Sequence, residues 1–240
     1  ENLFFLHTYL STLVKLLIHL KISLGESMKT DEILPILLGN RFAQFGIVNF
    51  SEEDFFTWPM NIAIRKRSSK IFSGLLLELE RFDIDAIDED VLKDLYQELV
   101  HPEVRKLLGE FYTPDWLAEK MVIETLDADP LKSVLDPACG SGTFLFKVIR
   151  FKVEKLRKKG TKKSEILKHI TENVFGFDIH PLAAIISKTN YLLALRDLLR
   201  EKTGQITIPV FLSDSVKIPI IPKQQTMLGY GVNVLEFEAL

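Results

Sequence analysis

Three aspartates, each ending a short apolar run, carry most of the chemistry this sequence offers. Asp136 stands in Val134-Leu135-Asp136-Pro137-Ala138-Cys139-Gly140-Ser141-Gly142-Thr143-Phe144-Leu145. Asp178 stands in Val174-Phe175-Gly176-Phe177-Asp178-Ile179, and Asp214 in Val210-Phe211-Leu212-Ser213-Asp214-Ser215. An apolar run that stops at an acid is how a buried parallel strand reads when a polar ligand waits at its carboxyl end. In an open α/β sheet such ends lie side by side, so the three carboxylates would line one crevice. After Asp136, Gly140-Ser141-Gly142 lets the backbone approach a ligand closely, and a long helical pattern follows. The pattern is that of a site for a nucleotide-like cofactor.

Charge selects among such cofactors. A dinucleotide site sets bare glycines and a helix N-terminus against a pyrophosphate, with its acid about 20 residues further on. Here Asp136 comes immediately before the glycines, where it would repel a pyrophosphate and attract an ammonium group. The third glycine of the dinucleotide pattern is replaced by Leu145. S-adenosylmethionine fits this order of acids: its α-ammonium for Asp136, its ribose hydroxyls for Asp178 and its adenine amino group for Asp214. Upstream, Thr113-Pro114-Asp115 reads as a helix start, with Thr113 as N-cap, Pro114 at the first helical position and Asp115 in the first turn. The amides of that start would suit the methionine carboxylate.

Gly109-Glu110-Phe111-Tyr112-Thr113-Pro114, the Asp136–Leu145 stretch and Gly176-Phe177-Asp178-Ile179-His180-Pro181 together resemble the cofactor motifs of N6-adenine DNA methyltransferases of the restriction-modification type. The resemblance is specific over about residues 109–195. More loosely, Thr8-Tyr9-Leu10 and Asp54-Phe55-Phe56-Thr57-Trp58-Pro59 resemble the helical region ahead of the catalytic domain in large single-chain restriction-methylation enzymes. The resemblance implies S-adenosylmethionine binding by Tyr112, Thr113, Asp136, Ala138, Gly140, Gly142, Asp178, Ile179, Asp214 and Ser215, with no metal ligand. It also implies DNA as a partner of the full-length protein, contacted weakly if at all through this chain, and a possible specificity or nuclease domain or subunit.

One family element is missing. These enzymes carry Asn/Asp-Pro-Pro-Tyr/Phe after a fourth strand, where it grips the target amino group, and this sequence holds no Pro-Pro pair. With Glu1 as its first residue, the sequence is therefore expected to be a fragment that binds cofactor and carries no catalytic residue. The alternatives are a non-catalytic cofactor-binding or assembly module, and an RNA or protein-glutamine amino methyltransferase, which would share the same missing tetrapeptide.

Composition bounds these readings. The 240 residues, 47% apolar and 26% charged, suit one or two globular domains. The single cysteine, Cys139, excludes an internal disulfide framework and a zinc cluster built on thiolates. It is assigned no nucleophilic role. A cytoplasmic location is expected, without membrane attachment: the apolar stretch 3–24 is interrupted by His7, Lys15, His19 and Lys21, which favours a buried packing helix. The net charge of −3 is not that of a free-standing nucleic-acid binder. Residues 1–108 carry 12 basic and 17 acidic side chains; residues 109–240 carry 18 and 16. The dense basic run Lys152, Lys155, Arg157, Lys158, Lys159, Lys162, Lys163 falls at the far end of the glycine-turn helix and reads as a solvated helix end. Arg65, Lys66, Arg67 and Lys70 read as an exposed helix face, with contact to phosphate as the alternative.

The elements that must position the acids fall into two parts. Residues 1–108 are expected to form an all-helical domain, with helices over Leu3–Ser23, Asp31–Leu38, Asn61–Phe82 and Asp88–Val100. His101-Pro102 breaks the last of these, and Asp83, Asp85, Asp88, Glu89 and Asp90 mark a solvated turn. Residues 109–240 are expected to form part of a Rossmann-like α/β methyltransferase sheet. Its strands fall at 133–136, 174–178 and 208–212, and its helices at 142–158, 163–171 and 182–199. Phe55, Phe56 and Trp58 are expected to pack on the α/β part, with a base-stacking cluster as the alternative, and Phe144 and Leu145 to enter the core.

Overall fold

The computed structural model describes residues 2–23, 33–50, 56–83, 91–108 and 110–216. Phe55, Asp85, Asp88, Glu89 and Asp90, and the stretch after Val216, lie outside these residues. Three strands, β1 (Val134–Asp136), β2 (Val174–Asp178) and β3 (Val210–Leu212), form a parallel sheet in the order β1-β2-β3. Leu135 pairs with Phe175, and Phe177 with Phe211. Parity decides which side chains are covered, since successive residues of a strand face opposite ways. Val174 and Val210 are fully buried, whereas Leu135 keeps 44% of its surface exposed.

The buried side meets α8 (Thr143–Lys158), α9 (Lys163–Asn173) and α10 (Pro181–Leu195). Nearly every residue of α10 is buried, because it runs between the sheet, α8 and α1 (Asn2–Ser23). Among its buried residues, Tyr191 donates its hydroxyl to the carbonyls of Ile170 and Val174, at 2.9 and 3.2 Å, and so pins the entry to β2. A helix apolar on almost every side must be buried. That also explains α1, the one described helix long and apolar enough to cross a membrane, which packs here against α10, α2 (Ile33–Leu37) and α4 (Arg65–Leu79). Its Lys15 is buried and donates to the Leu37 carbonyl at 3.1 Å.

The remaining helices are α3 (Asn40–Gln44), α5 (Val91–Leu99), α6 (Pro102–Leu108) and α7 (Asp115–Leu126). Pro102 breaks the preceding helix as expected and opens α6, where its missing N–H costs nothing. The long pattern predicted over Asn61–Phe82 is helical only over Arg65–Leu79, because Trp58–Met60 forms a 3-10 turn and the chain bends through Asn61. The expected helix 182–199 ends at Leu195 and continues as a 3-10 turn over Arg196–Glu201.

Two expectations are corrected here. The first part is not helical throughout: Ile47 bridges Ile206 in parallel, and Asn49 exchanges side-chain hydrogen bonds with the carbonyl and amide of Ile208, at 2.8 and 2.7 Å. Gly46–Asn49 thus extends the pairing ahead of β3 with backbone from far away in sequence. Phe56 and Trp58 make their ring contacts on α1: Trp58 stacks on Phe4 at 6.0 Å, meets Phe5 at 5.8 Å and donates its indole N–H to Thr8 Oγ1 at 2.9 Å. Leu145 is fully buried, and Phe144 packs partly buried on the same core.

Candidate functional site

The parallel register places Asp136 at the end of β1 and Asp178 at the end of β2, on adjacent strands. The turn after Asp136 folds over the neighbouring strand: the Cys139 N–H donates to the Phe177 carbonyl at 2.8 Å, and the Gly140 N–H donates to Asp178 Oδ2 at 2.7 Å. The other oxygen, Asp178 Oδ1, accepts the His180 N–H at 2.8 Å. Asp136 accepts the Ala138 N–H at 3.2 Å. Among the described residues, these two acids hold backbone amides and form no ion pair. Burial raises the Asp136 carboxyl above its ordinary range; the Ala138 amide offsets part of this, and the nearby Asp178 charge adds to it.

Glycine is required at two points of this turn. Gly142, the N-cap of α8, has φ 87°, and a Cβ there would lie 2.6 Å from Ser187 Oγ. Gly176, in the middle of β2, would place a Cβ 2.6 Å from Leu145 Cδ1, so its lack of a side chain lets α8 descend onto the strand. Gly140, at φ 54°, faces open space. Asn190 of α10 donates to the Ser141 carbonyl at 2.8 Å and fixes the turn from beneath. Gly176, Ser187 and Asn190 were not among the expected site residues. A signal for Asn190 existed, as a lone amide in the apolar pattern 181–195; Gly176 and Ser187 matter through contacts that no local pattern announces. Burial pushes the Cys139 thiol up to about 12, with the Asp178 and Asp136 charges adding to the effect, so the thiol stays protonated.

Asp214 follows β3 by two residues and accepts the Val216 N–H at 3.1 Å, while the Ser213 N–H donates to the Asp178 carbonyl at 2.8 Å. The third acid is thereby tied to the second. Ser215 is exposed, and Ile179 is exposed beside Asp178. Tyr112 is half-buried, with its ring 6.0 Å from that of Tyr96.

The helix start at Thr113 differs from expectation. Pro114 is the N-cap of α7, at φ −58° and ψ 137°, and no side chain caps the helix. Proline in that extended conformation leads into the helix by itself, which leaves Thr113 outside it. Asp115 instead pairs with Lys93 of α5 and, at 3.5 Å, with Lys147 of α8, so the start of α7 is tied to the first turns of α8. Desolvation works against ionising Asp115, but these two lysines prevail and hold its carboxyl below the ordinary value.

The basic run is also corrected, because it is not simply a solvated end. Lys152 is fully buried and donates to the carbonyls of Pro130 and Lys132. Lys155 pairs with Asp127 at 2.6 Å, Arg157 with Asp197 at 2.5 Å and Lys163 with Asp197 at 2.9 Å. Burial opposes ionisation of Asp197, yet this pairing lowers its carboxyl to about 2. Arg65, Lys66, Arg67 and Lys70 are exposed on α4, as expected.

Residues 87–224, more than half of the chain, match the N-6 DNA methylase family. The chain belongs to that family. Two curated relatives come from Methanocaldococcus jannaschii. The type I restriction enzyme MjaVII methylase subunit is 27% identical over 179 residues, covering 73% of this chain and 25% of that protein. The type I restriction enzyme MjaIX methylase subunit is 35% identical over 88 residues, covering 37% of this chain and 14% of that protein. The chain thus spans about a quarter or less of the length of these relatives. A cryo-EM structure of a DrdV–DNA complex is matched at TM-score 0.44 and 18% identity, over 85% of this chain and 20% of that one.

Proposed function

We propose that this N-6 DNA methylase chain binds S-adenosylmethionine in the crevice above β1 and β2, as the cofactor-binding part of a DNA adenine N6-methyltransferase of a restriction-modification system. The observation that carries this is the pair of acids at adjacent strand ends, which hold only backbone amides among the described residues. A half-buried carboxyl whose pKa is raised, close to a second carboxylate, is completed by a cation. The cofactor's α-ammonium supplies one at Asp136, and its ribose diol suits the free lone pairs of Asp178. Gly140, which faces open space, lets the ligand approach the turn without a side chain in the way. Tyr112, Thr113, Ala138, Gly140, Gly142, Ile179 and Ser215 complete the site, and Asp214 takes the adenine amino group.

In this reading the sheet is part of a Rossmann-like methyltransferase fold, residues 1–108 form a mostly helical part that lends Gly46–Asn49 to the pairing ahead of β3, and residues 109–240 form the cofactor part. The parent enzyme acts on DNA in the cytoplasm, with a specificity or nuclease domain or subunit as partner. The cofactor supplies an electrophilic methyl group; this chain's residues bind and orient it. Fixing a reactant in this way is worth up to about 7–11 kcal/mol in well-oriented systems, provided the target amino group is fixed too. With no Pro-Pro turn in its sequence, the 240-residue chain by itself is expected to transfer no methyl group to DNA.

Calorimetry with S-adenosylhomocysteine tests the site. Asp136→Ala should weaken binding by about tenfold or more, since hydrogen bonds to charged groups contribute roughly 1.5–3 kcal/mol. Wild-type binding should also weaken as pH falls through the raised pKa of Asp136, because only the carboxylate attracts the ammonium. Equal affinity of the wild type and Asp136→Ala would remove Asp136 from the site.

A further inference from the structure

His7 and Tyr96 are buried polar residues that no part of the cofactor reading uses. His7 lies on α1 and Tyr96 on α5, both far ahead of the glycine turn in sequence, and they are 7% and 2% exposed. The Tyr96 hydroxyl donates to Glu110 Oε2 at 2.6 Å, and His7 Nε2 lies 3.4 Å from the same hydroxyl. A hydroxyl has one proton to give. With that proton on Glu110, the Tyr96 oxygen accepts from His7, so the order is His7 N–H to Tyr96 O–H to the Glu110 carboxylate. Burial holds the His7 ring neutral, lowering it to about 4, with His180 adding to the effect.

Both ends of this relay reach segments that carry residues of the proposed cofactor site. Glu110 opens the stretch leading to Tyr112 and Thr113, and the Tyr96 ring lies 6.0 Å from that of Tyr112. On the other side, the His7 ring meets His180 edge-on, with centroids 5.3 Å apart and an interplanar angle of 87°. His180 donates its backbone N–H to Asp178, and its Nδ1 accepts the Ala183 N–H at 3.4 Å at the start of α10. His180 therefore fixes one oxygen of Asp178 while its ring leans on His7.

We propose that His7 and Tyr96 are positioning residues for the ligand site, bracing the Asp178–His180 turn and the Glu110–Thr113 segment against each other across the crevice. This rests on Asp178 and Tyr112 belonging to the cofactor site. The helical part then acts as a wall of that site as well as a neighbour of it. Side chains that hold a binding constellation in place change affinity without touching ligand.

The test compares four variants of the chain by calorimetry with S-adenosylhomocysteine and with adenosine. Tyr96→Phe removes one oxygen and keeps the ring; His7→Leu removes the ring nitrogens; His7→Gln keeps an N–H within reach of the Tyr96 hydroxyl. Leu13→Ala, a buried position elsewhere on α1, sets the effect of destabilisation alone. Tyr96→Phe and His7→Leu should weaken both ligands about three- to tenfold, as the loss of one buried hydrogen bond does. His7→Gln should recover most of that loss, and Leu13→Ala should stay within about twofold of wild type. Without ligand, hydrogen exchange at the His180 amide should rise in His7→Leu while that of Ile186, later in α10, stays unchanged.

Wild-type affinity in both Tyr96→Phe and His7→Leu overturns the proposal. So does an equal loss in Leu13→Ala, or exchange that rises equally at His180 and Ile186. A wild type that binds neither ligand overturns the cofactor reading itself, whereas a binding wild type with insensitive variants overturns only the bracing role.

Discussion

The two ends of α8 present opposite solutions to charge. At its start, Asp136 and Asp178 stand at adjacent strand ends and hold backbone amides, with burial raising the Asp136 carboxyl. At its far end, Lys155, Arg157 and Lys158 pair with Asp127, Asp197 and Glu154, and Lys163 of α9 joins Arg157 on Asp197. Sixteen residues separate the two ends, a length of about 24 Å at about 1.5 Å per residue. Charge that is matched inside the chain stabilises it modestly. Carboxylates held by backbone amides and by no cation are what the proposed cofactor reading uses, since desolvating a charge costs stability that a ligand's cation would offset.

The largest way to break the comparison is at the hinge between strand and helix. Gly142→Ala should lower stability by roughly 2–5 kcal/mol in chemical denaturation. The φ of 87° costs an L-residue about 1–2 kcal/mol, and the contact at 2.6 Å from Ser187 Oγ adds an overpacking cost of about 1–3 kcal/mol. A loss below about 1 kcal/mol would show that α10 yields easily and that the turn is not held by close approach. Gly140→Ala carries the same kind of φ but faces open space, so its loss should be the smaller of the two.

This hinge also separates what was legible in the sequence from what was not. The strand ends at Asp136, Asp178 and Leu212 and the span of α8 follow from apolar runs stopping at acids and from glycines opening a helical pattern. Each of those signals is local. The exchange of hydrogen bonds between Asn49 and Ile208, the seat of Ser187 under Gly142 and the burial of Lys152 join residues distant in sequence, and no window of the sequence contains both partners. Lys152 reads as one more cation in a basic run because periodicity is blind to two carbonyls at Pro130 and Lys132. The cap of α7 falls one residue after Thr113 for a different reason. Thr-Pro satisfies the capping pattern in two registers, and the extended ψ of 137° at Pro114 selects the other one.

A smaller effect, spread over the helical part, should appear with pH. Burial is the main cause that lowers His7 and His19 to about 4, with His180 and Arg41 respectively adding to it. Both ring nitrogens of His19 lack a hydrogen-bond partner among the described residues. The unfolded histidines titrate near 6.5, so between about 6.5 and 4 the unfolded chain binds more protons than the folded one. The histidines' contribution to stability should therefore fall as pH drops through that window, by roughly 3 kcal/mol per histidine at most, and that contribution should be flat above it. The raised Asp136 carboxyl acts in the opposite direction and reduces the slope. His19→Leu should remove part of the dependence. A denaturation midpoint with equal slope in the wild type and His19→Leu would mean that this ring is solvated in the folded state.

The smallest expected effect sharpens the comparison from the far end of α8. Lys158→Ala should change stability by no more than about 0.5 kcal/mol, because its i,i+4 pair with Glu154 is exposed on both sides and such pairs are worth about 0.3–0.5 kcal/mol. Affinity for S-adenosylhomocysteine should not change at all. The helix carries Lys158 about 24 Å from the glycine turn, beyond the screening length of about 8 Å at physiological ionic strength. Lys152→Met, on the same helix, supplies the contrast: it strips the carbonyls of Pro130 and Lys132 of their buried donor and should cost roughly 1–3 kcal/mol. Calorimetry on Lys158→Ala at low and at physiological salt decides the matter. A change in affinity that vanishes with added salt would mean that the far end of α8 adds to the field at the crevice, and that its cations are not matched within the chain.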